Sequence, residues 1–220
     1  MDTKLLIGRR GALRGAALTG ALAALDPGLW RVGAAMAADP KPNQPVAGDD
    51  GMLTQPWFTE SFLDLKDDLA EARAKGKRLA VIWEQRGCPY CREMHMVNFA
   101  DPAIADYIRG HFMVLQTNIF GSRPVTDFDG TSLEEKAMAK RYGVVFTPTI
   151  QFFPDDPAAV AGKQGSTVEV ARMPGYFKPF HFLSMFEYVF EKAYEKEHFQ
   201  QFVKAKAEKL RAEGKDVQLW

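Results

Sequence analysis

The run Arg78–Trp83 (RLAVIW) is short, apolar and partly β-branched, and five residues later the chain reaches Cys88-Pro89-Tyr90-Cys91, which holds the only two cysteines of its 220 residues. Such a run reads as a buried strand. Cys88 stands where a helix N-cap would, Pro89 suits the first helical position, and the helix is expected to continue through Val97. A buried strand that turns straight into a helix needs cover on both faces, so the chain is expected to fold as layered α/β.

The flanking pattern extends this expectation. Ser61–Lys75 reads as an amphipathic helix with Phe62, Leu65, Leu69 and Ala72 on one face, ended by Gly76. Asp101 and Pro102 mark a helix start, as N-cap and first residue. Phe112–Asn118 (FMVLQTN) is a second strand. Ile119–Gly130 reads as a turn-rich loop, and Ser132 with Glu135 as a capping box for a helix ending near Gly143. Thr147–Phe153 (TPTIQFF) is a third strand and Thr167–Met173 (TVEVARM) a fourth. Pro179 opens a long helix with Leu183, Phe186, Phe190 and Ala193 in one stripe, and Phe180 and Phe182 are expected in the core with it. Glu195–Glu213 reads as a further helix with a thinner apolar face. Helices between strands imply βαβ crossovers and parallel pairing, and the adjacent last two strands imply an antiparallel hairpin. The expected fold is a mixed four- to five-stranded sheet flanked by helices, with an extra C-terminal helix.

The C-x-x-C segment admits several chemistries. A helix N-terminus carries unpaired N–H groups and partial positive charge, which stabilise a thiolate at the first cysteine. On this reading Cys88 is the exposed attacking thiolate and Cys91 the more buried resolving thiol. Haem attachment needs His after the second cysteine, and position 92 is Arg. A structural zinc needs about four ligands. A copper or zinc site, and hence a copper chaperone, stays open because His95 lies four residues after Cys91 on the same helix face. A purely structural staple closes little chain entropy over so short a loop. Met94 and Met96 read as packing or substrate-surface residues, Trp83 as packing below the site, and Asp127 with Asp129 as a turn rather than a calcium loop.

VIWEQRGCPYCREM, together with FTPTIQFF beginning 55 residues after Cys91, resembles the thioredoxin superfamily over residues 56–194. The resemblance implies a cis proline at Pro148 facing the cysteines. It also implies that the backbone of Thr147 lies beside the active sulfur, ready to pair with an extended substrate strand. Cys88 and Cys91 are then the catalytic pair, with the redox-active disulfide in place of any cofactor and no metal. The segments WEQRGCPYC, VTDFDG, GVVFTPTIQFF and PGYFKPFHFLSMFEYV, with the N-terminal signal described below, are similar to the periplasmic thioredoxins of bacterial sulfur (thiosulfate) oxidation. That likeness implies electrons from a membrane thiol transporter and, as targets, disulfide-containing periplasmic proteins such as the cysteine-bearing carriers of that pathway. Two departures leave the redox poise open. Ile82 stands six residues before Cys88, where many thioredoxins carry a buried acid, and Pro89-Tyr90 is a glutaredoxin-like pair where Gly-Pro is usual. Glu84 is the nearest upstream acid, read either as a solvated strand-end residue or as a proton acceptor for Cys91 and tuner of Cys88. Arg86 and Arg92 flank the pair as further candidates for thiolate tuning. The competing readings are a disulfide oxidase or isomerase and the copper chaperone.

The N-terminus reads as an export signal over residues 1–37. Lys4, Arg9, Arg10 and Arg14 precede the uncharged Gly15–Leu25, which is too short to span a bilayer, and Ala35–Ala37 is a small-residue cleavage site. Arg9-Arg10 gives it a twin-arginine-like character. Cleavage near Ala37 places the chain in the periplasm, where a disulfide is permitted. Lys+Arg and Asp+Glu are both 28 in the whole chain. The expected signal carries five basic residues (Lys4, Arg9, Arg10, Arg14, Arg31) and two acidic ones (Asp2, Asp26), so the remainder has 23 against 26, a net charge of −3. With no basic stripe, nucleic acid is not an expected partner. Residues 38–55, rich in Pro, Gly and Asp, read as a flexible linker. Residues 56–194 form the expected thioredoxin-like domain of a monomer, and 195–220 a helical extension.

Overall fold

The computed structural model describes residues 43–217, so the expected export signal lies outside the described residues. In chain order, a hairpin is formed by β1 (Val46–Ala47) and β2 (Leu53–Thr54). It is followed by α1 (Leu65–Ala74), β3 (Arg78–Glu84) and α2 (Pro89–Glu93), the last running on as a π-helical turn, Met94–Asn98. Next come α3 (Pro102–His111), β4 (Phe112–Asn118), β5 (Pro124–Thr126), β6 (Ser132–Glu134) and α4 (Glu135–Arg141). The chain ends with β7 (Thr149–Phe152), β8 (Ala171–Pro174), α5 (Pro179–Phe190) and α6 (Phe199–Ala212).

The central sheet has the order β4-β3-β7-β8. β3 is buried along its whole length, as its unbroken apolar run requires. Side chains alternate across it. Leu79, Val81 and Trp83 enter a core formed with α1 and α4, including Leu69, Ala72, Met138 and Tyr142. Ala80 and Ile82 enter the opposite core, formed with α3 and α5 through Phe99, Ile104, Phe182 and Phe186. Phe186 is ringed by Phe112, Phe152 and Phe182 at centroid distances of 4.9, 5.0 and 5.1 Å. Phe180 is only half-buried, with the Lys206 ammonium 5.1 Å from its ring centre.

β4 pairs with β3 in parallel, as the intervening helices suggest. β7 does not follow the parallel rule: it pairs antiparallel to β3. The connection, residues 119–148, carries β5, β6 and α4 and returns the chain to the end of the sheet where β4 finished. β8 is antiparallel to β7, as expected, but begins only at Ala171. Residues 165–168 form a 3-10 turn instead of strand, with Gly165 at φ 58°.

Local capping decides the other differences. α1 starts at Leu65 because the Asp64 side chain accepts the N–H groups of Lys66 and Asp67, both at 3.1 Å. Phe62 therefore lies before the helix, fully exposed, instead of on its apolar face. Ser132 and Glu135 form no capping box, since Ser132 is in β6 opposite Thr126. The Glu135 carboxylate turns inward, accepting the Asn118 N–H at 2.9 Å and pairing with Arg123 at 2.6 Å. The segment expected to be linker is structured from Val46 onward, with Met52 and Gln55 buried. α6 packs on α5 and buries only Val203 and Ala207, the thin apolar face its sequence shows. Among the described residues no helix is long and apolar enough to cross a membrane.

Candidate functional site

The site lies where β3 ends and α2 begins. Gly87, at φ 76°, makes the turn between them in a conformation that side chains resist. Cys88 is the N-cap of α2 and Pro89 its first residue. The Cys88 Sγ accepts the Cys91 N–H at 3.1 Å, so the first sulfur is held at the helix start where unpaired N–H groups collect. Cys88 and Cys91 are disulfide-bonded, with Cα atoms 5.2 Å apart. Burial does not separate them as expected: Cys88 is 7% exposed and Cys91 5%. Their difference lies in position. Cys88 borders the Thr147 loop, and Cys91 lies in the first turn of the helix.

The Thr147–Pro148 peptide is cis, and the loop meets the cysteines directly. The Thr147 carbonyl oxygen is 3.6 Å from Cys88 Sγ, and the Thr147 hydroxyl donates to that sulfur at 3.4 Å. Tyr90 is largely exposed and stacks on Tyr176, with centroids 6.4 Å apart. Val145 and Phe146 are also exposed, immediately before Thr147. Their part in this surface was missed in the sequence, where the apolar GVVF run is indistinguishable from core. Pro89 is exposed. So are Arg86 and Arg92: Arg86 lies along Gly51 of the hairpin turn, where a Cβ would come within 2.9 Å of its Cδ, and Arg92 lines the cleft beside the cysteines.

Glu84 corrects the solvated reading. It is 2% exposed, with Oε2 lying 3.1 Å from His95 Nε2 and also accepting the Gln116 side-chain amide. Gln116 reaches the hairpin as well, donating to the Leu53 carbonyl at 2.7 Å. The Gln55 amide donates to the His95 carbonyl at 3.2 Å and lies 3.4 Å from His95 Nδ1. His95 is thus engaged by both Glu84 and Gln55. Among the described residues no group of three His, Cys, Asp or Glu side chains is placed to hold a metal ion. A cleft of about 440 Å³ opens beside the pair, lined among others by Met52, Leu53, Glu84, Cys88, Cys91 and His95.

Other singled-out residues lie in the frame of the fold. Trp83 is fully buried beside Tyr142, its Nε1 donating to Gln151 at 2.5 Å. Met94 is buried in the core and Met96 exposed. Asp127 is buried, accepting the Tyr142 hydroxyl at 2.6 Å and lying 2.7 Å from Arg141 Nε.

A model of the thioredoxin-like domain matches residues 65–190, more than half of the chain. Among solved structures, a thioredoxin-fold protein from Helicobacter pylori is similar at 20% identity over 60% of this chain and 86% of that one, with a TM-score of 0.48. A thioredoxin from Thermus thermophilus is similar at 25% identity over 57% and 83%, with a TM-score of 0.43. No curated protein matches the chain. The matched span runs from α1 through α5 and takes in the cysteine pair and the Thr147–Pro148 loop, so the chain belongs to the thioredoxin-like domain family.

Proposed function

We propose that this chain is a periplasmic thiol–disulfide oxidoreductase that uses the Cys88–Cys91 dithiol to reduce disulfides of exported proteins. The observation that carries the reading is the placing of Cys88 Sγ at the start of α2, against the backbone of Thr147. In the reduced protein the Cys91 N–H and the positive end of the helix favour a Cys88 thiolate. That thiolate attacks one sulfur of a target disulfide, and the other target sulfur leaves as thiolate. Cys91 then attacks Cys88, releasing the second target sulfur and leaving Cys88–Cys91 oxidised. An extended target segment can pair with Thr147, and Tyr90, Val145 and Phe146 offer it apolar contact.

The N-terminal Arg9-Arg10, the apolar Gly15–Leu25 and Ala35–Ala37 support export to the periplasm. The likeness of the quoted segments to the SoxW thioredoxins supports a place in sulfur (thiosulfate) oxidation. Its electron donor is then a membrane thiol transporter, and its targets are cysteine-bearing carrier proteins.

Cys88→Ser should abolish reduction of a protein disulfide, and Cys91→Ser should trap mixed disulfides with targets. Full reductase activity in Cys88→Ser would end this reading. Direction is set by the potential of the couple in glutathione buffers: about −250 mV or lower fits a reductant. A value of about −120 to −180 mV would transfer the protein to the oxidase or isomerase reading that its Pro-Tyr pair suggests.

A further inference from the structure

We propose that Tyr90 and Tyr176, with the Glu93 carboxylate beside them, form a subsite for a cationic side chain, arginine above all, next to the cysteine of the target. The inference deepens the dithiol reading above and rests on it.

The two tyrosines come from the two segments that frame Cys88 Sγ. Tyr90 lies between the cysteines on α2, and Tyr176 follows β8. Pro174 stands opposite Thr149 in the sheet, and the Gly175 N–H donates to the Pro148 carbonyl at 2.7 Å. Tyr176 therefore leaves the sheet at the loop that meets Cys88. The rings stack with 18° between their planes, so the stack joins the first turn of α2 to that loop.

The phenol end of Tyr176 is anchored. Its hydroxyl donates to Asn98 Oδ1 at 3.1 Å, and the Asn98 amide donates to the Phe177 carbonyl at 2.8 Å. Asn98 is fully buried, in the π-helical turn that extends α2 and is closed by the Phe99 N–H on the Met94 carbonyl at 3.0 Å. Such turns occur often at functional sites. Tyr176 is held half-buried, while Tyr90 stays 62% exposed. The result is ordered aromatic surface in solvent beside the attacking sulfur, and little entropy is left to lose when a target lies on it.

Charge selects the occupant. Aromatic ring faces carry negative potential and attract guanidinium and ammonium groups. Glu93 is exposed and lies three residues after Tyr90, on the same face of α2. Its charge reaches the pair: burial raises the Tyr176 pKa, and the Glu93 carboxylate raises it further. Arg92 instead lines the hairpin cleft, whose wall includes neither tyrosine nor Glu93. Lys178, the cation nearest Tyr176 in sequence, lines a separate groove with Phe180 and Leu210. The charges around the cysteines are thus divided, with Arg86 and Arg92 beside the hairpin and a carboxylate beside the aromatic pair. A planar guanidinium can lie on a ring and pair with a carboxylate at once.

The test follows reduced full-length protein mixed with symmetrical disulfides of capped peptides. The peptides differ in one residue next to cysteine, which is arginine, citrulline or phenylalanine, placed before the cysteine in one set and after it in another. Acid quenching and mass spectrometry give the rate of peptide thiol release. In the favoured set and at low salt, arginine should be about 5-fold faster than citrulline, which keeps the shape without the charge. Tyr176→Ala should bring that ratio to about 2 or below. Glu93→Gln should lower it and remove most of its salt dependence. Equal wild-type rates for arginine and citrulline in both sets would overturn the proposal, as would a preference for phenylalanine over arginine. So would an unchanged ratio in Tyr176→Ala, the mark of general attraction or, if both rates fall together, of a structural role. An unchanged ratio in Glu93→Gln overturns the part given to the carboxylate. Should Tyr176→Ala not fold, Tyr90→Ala is measured in the same way: a lowered ratio supports the subsite, and an unchanged one overturns it. If the wild-type protein reduces none of the peptides, it is the dithiol reading itself that fails.

Discussion

Asp68 is a carboxylate that the fold buries without a cation. It sits on α1, 6% exposed, where the Ser61 hydroxyl donates to Oδ1 at 2.6 Å and Oδ2 has no hydrogen-bond partner among the described residues. Burial pushes its pKa from 3.8 up to about 6. The Ser61 hydrogen bond works against that rise, and the negative charges of Glu71, Asp64 and Asp67 add to it. The folded acid holds its proton more tightly than the unfolded one, so Asp68 makes folding more favourable as pH falls from above 6 towards 3.8. At neutral pH the ionised group costs at most about 3 kcal/mol, taking about 1.4 kcal/mol per pH unit of displacement. Asp68→Asn removes the charge. It leaves an unmet N–H where the protonated acid leaves an unmet O–H, so comparing two pH values isolates ionisation from hydrogen bonding. Relative to wild type, the variant should gain about 2.5 kcal/mol more at pH 7.5 than at pH 4, where the wild-type group is already protonated in the fold. At about 2–4 °C per kcal/mol for a chain of this size, that is a difference of about 5–10 °C in the Tm shift, read by circular dichroism. An equal Tm shift at the two pH values, or a larger gain at pH 4, would refute the reasoning.

Tyr142→Phe removes a buried donor to Asp127 and should cost about 1.5–3 kcal/mol by urea denaturation. In the wild type, burial and the hydrogen bond to Asp127 hold the phenol far above the usual tyrosine range, so it should be missing from an absorbance titration carried to pH 11. Phe186→Ala opens a cavity among Phe112, Phe152 and Phe182 and should cost about 3–5 kcal/mol; a loss under about 1 kcal/mol would mean the cluster closes over the gap. Gly165→Ala forces a side chain into a left-handed backbone at φ 58° with its Cβ 3.0 Å from the Arg141 carbonyl oxygen, and should lower stability by more than about 1 kcal/mol; an unchanged Tm would contradict that contact.

Much of the fold was legible in sequence because the signals were local. The unbroken apolar run of β3 and the Asp101-Pro102 helix start each act through near neighbours, and each appears as expected, whereas the stripe read for α5 is cut short: the helix ends at Phe190 and Ala193 lies in a 3-10 turn beyond it. The reversed direction of β7 was not legible. It depends on how β5, β6 and α4 together return the chain to the end of the sheet where β4 finished, which no single segment encodes. Glu135 looked like a helix cap but was drawn inward by Asn118 and Arg123, partners 17 and 12 residues away in the chain.

The candidate site divides in the same way. Strand, turn, N-cap cysteine and first-turn proline follow one another within fourteen residues, so sequence alone determined that two thiols would meet at a helix start, and the Thr-Pro motif marked the loop that faces them. What only the tertiary structure decided is what surrounds the thiols. Glu84 became a buried acid because His95, 11 residues on, Gln116, 32 residues on, and the hairpin carrying Gln55 converge on the same cleft. The physical reason is that a carboxylate at a strand end is stable either in water or among donors. Only the packing of distant segments determines which of the two it meets.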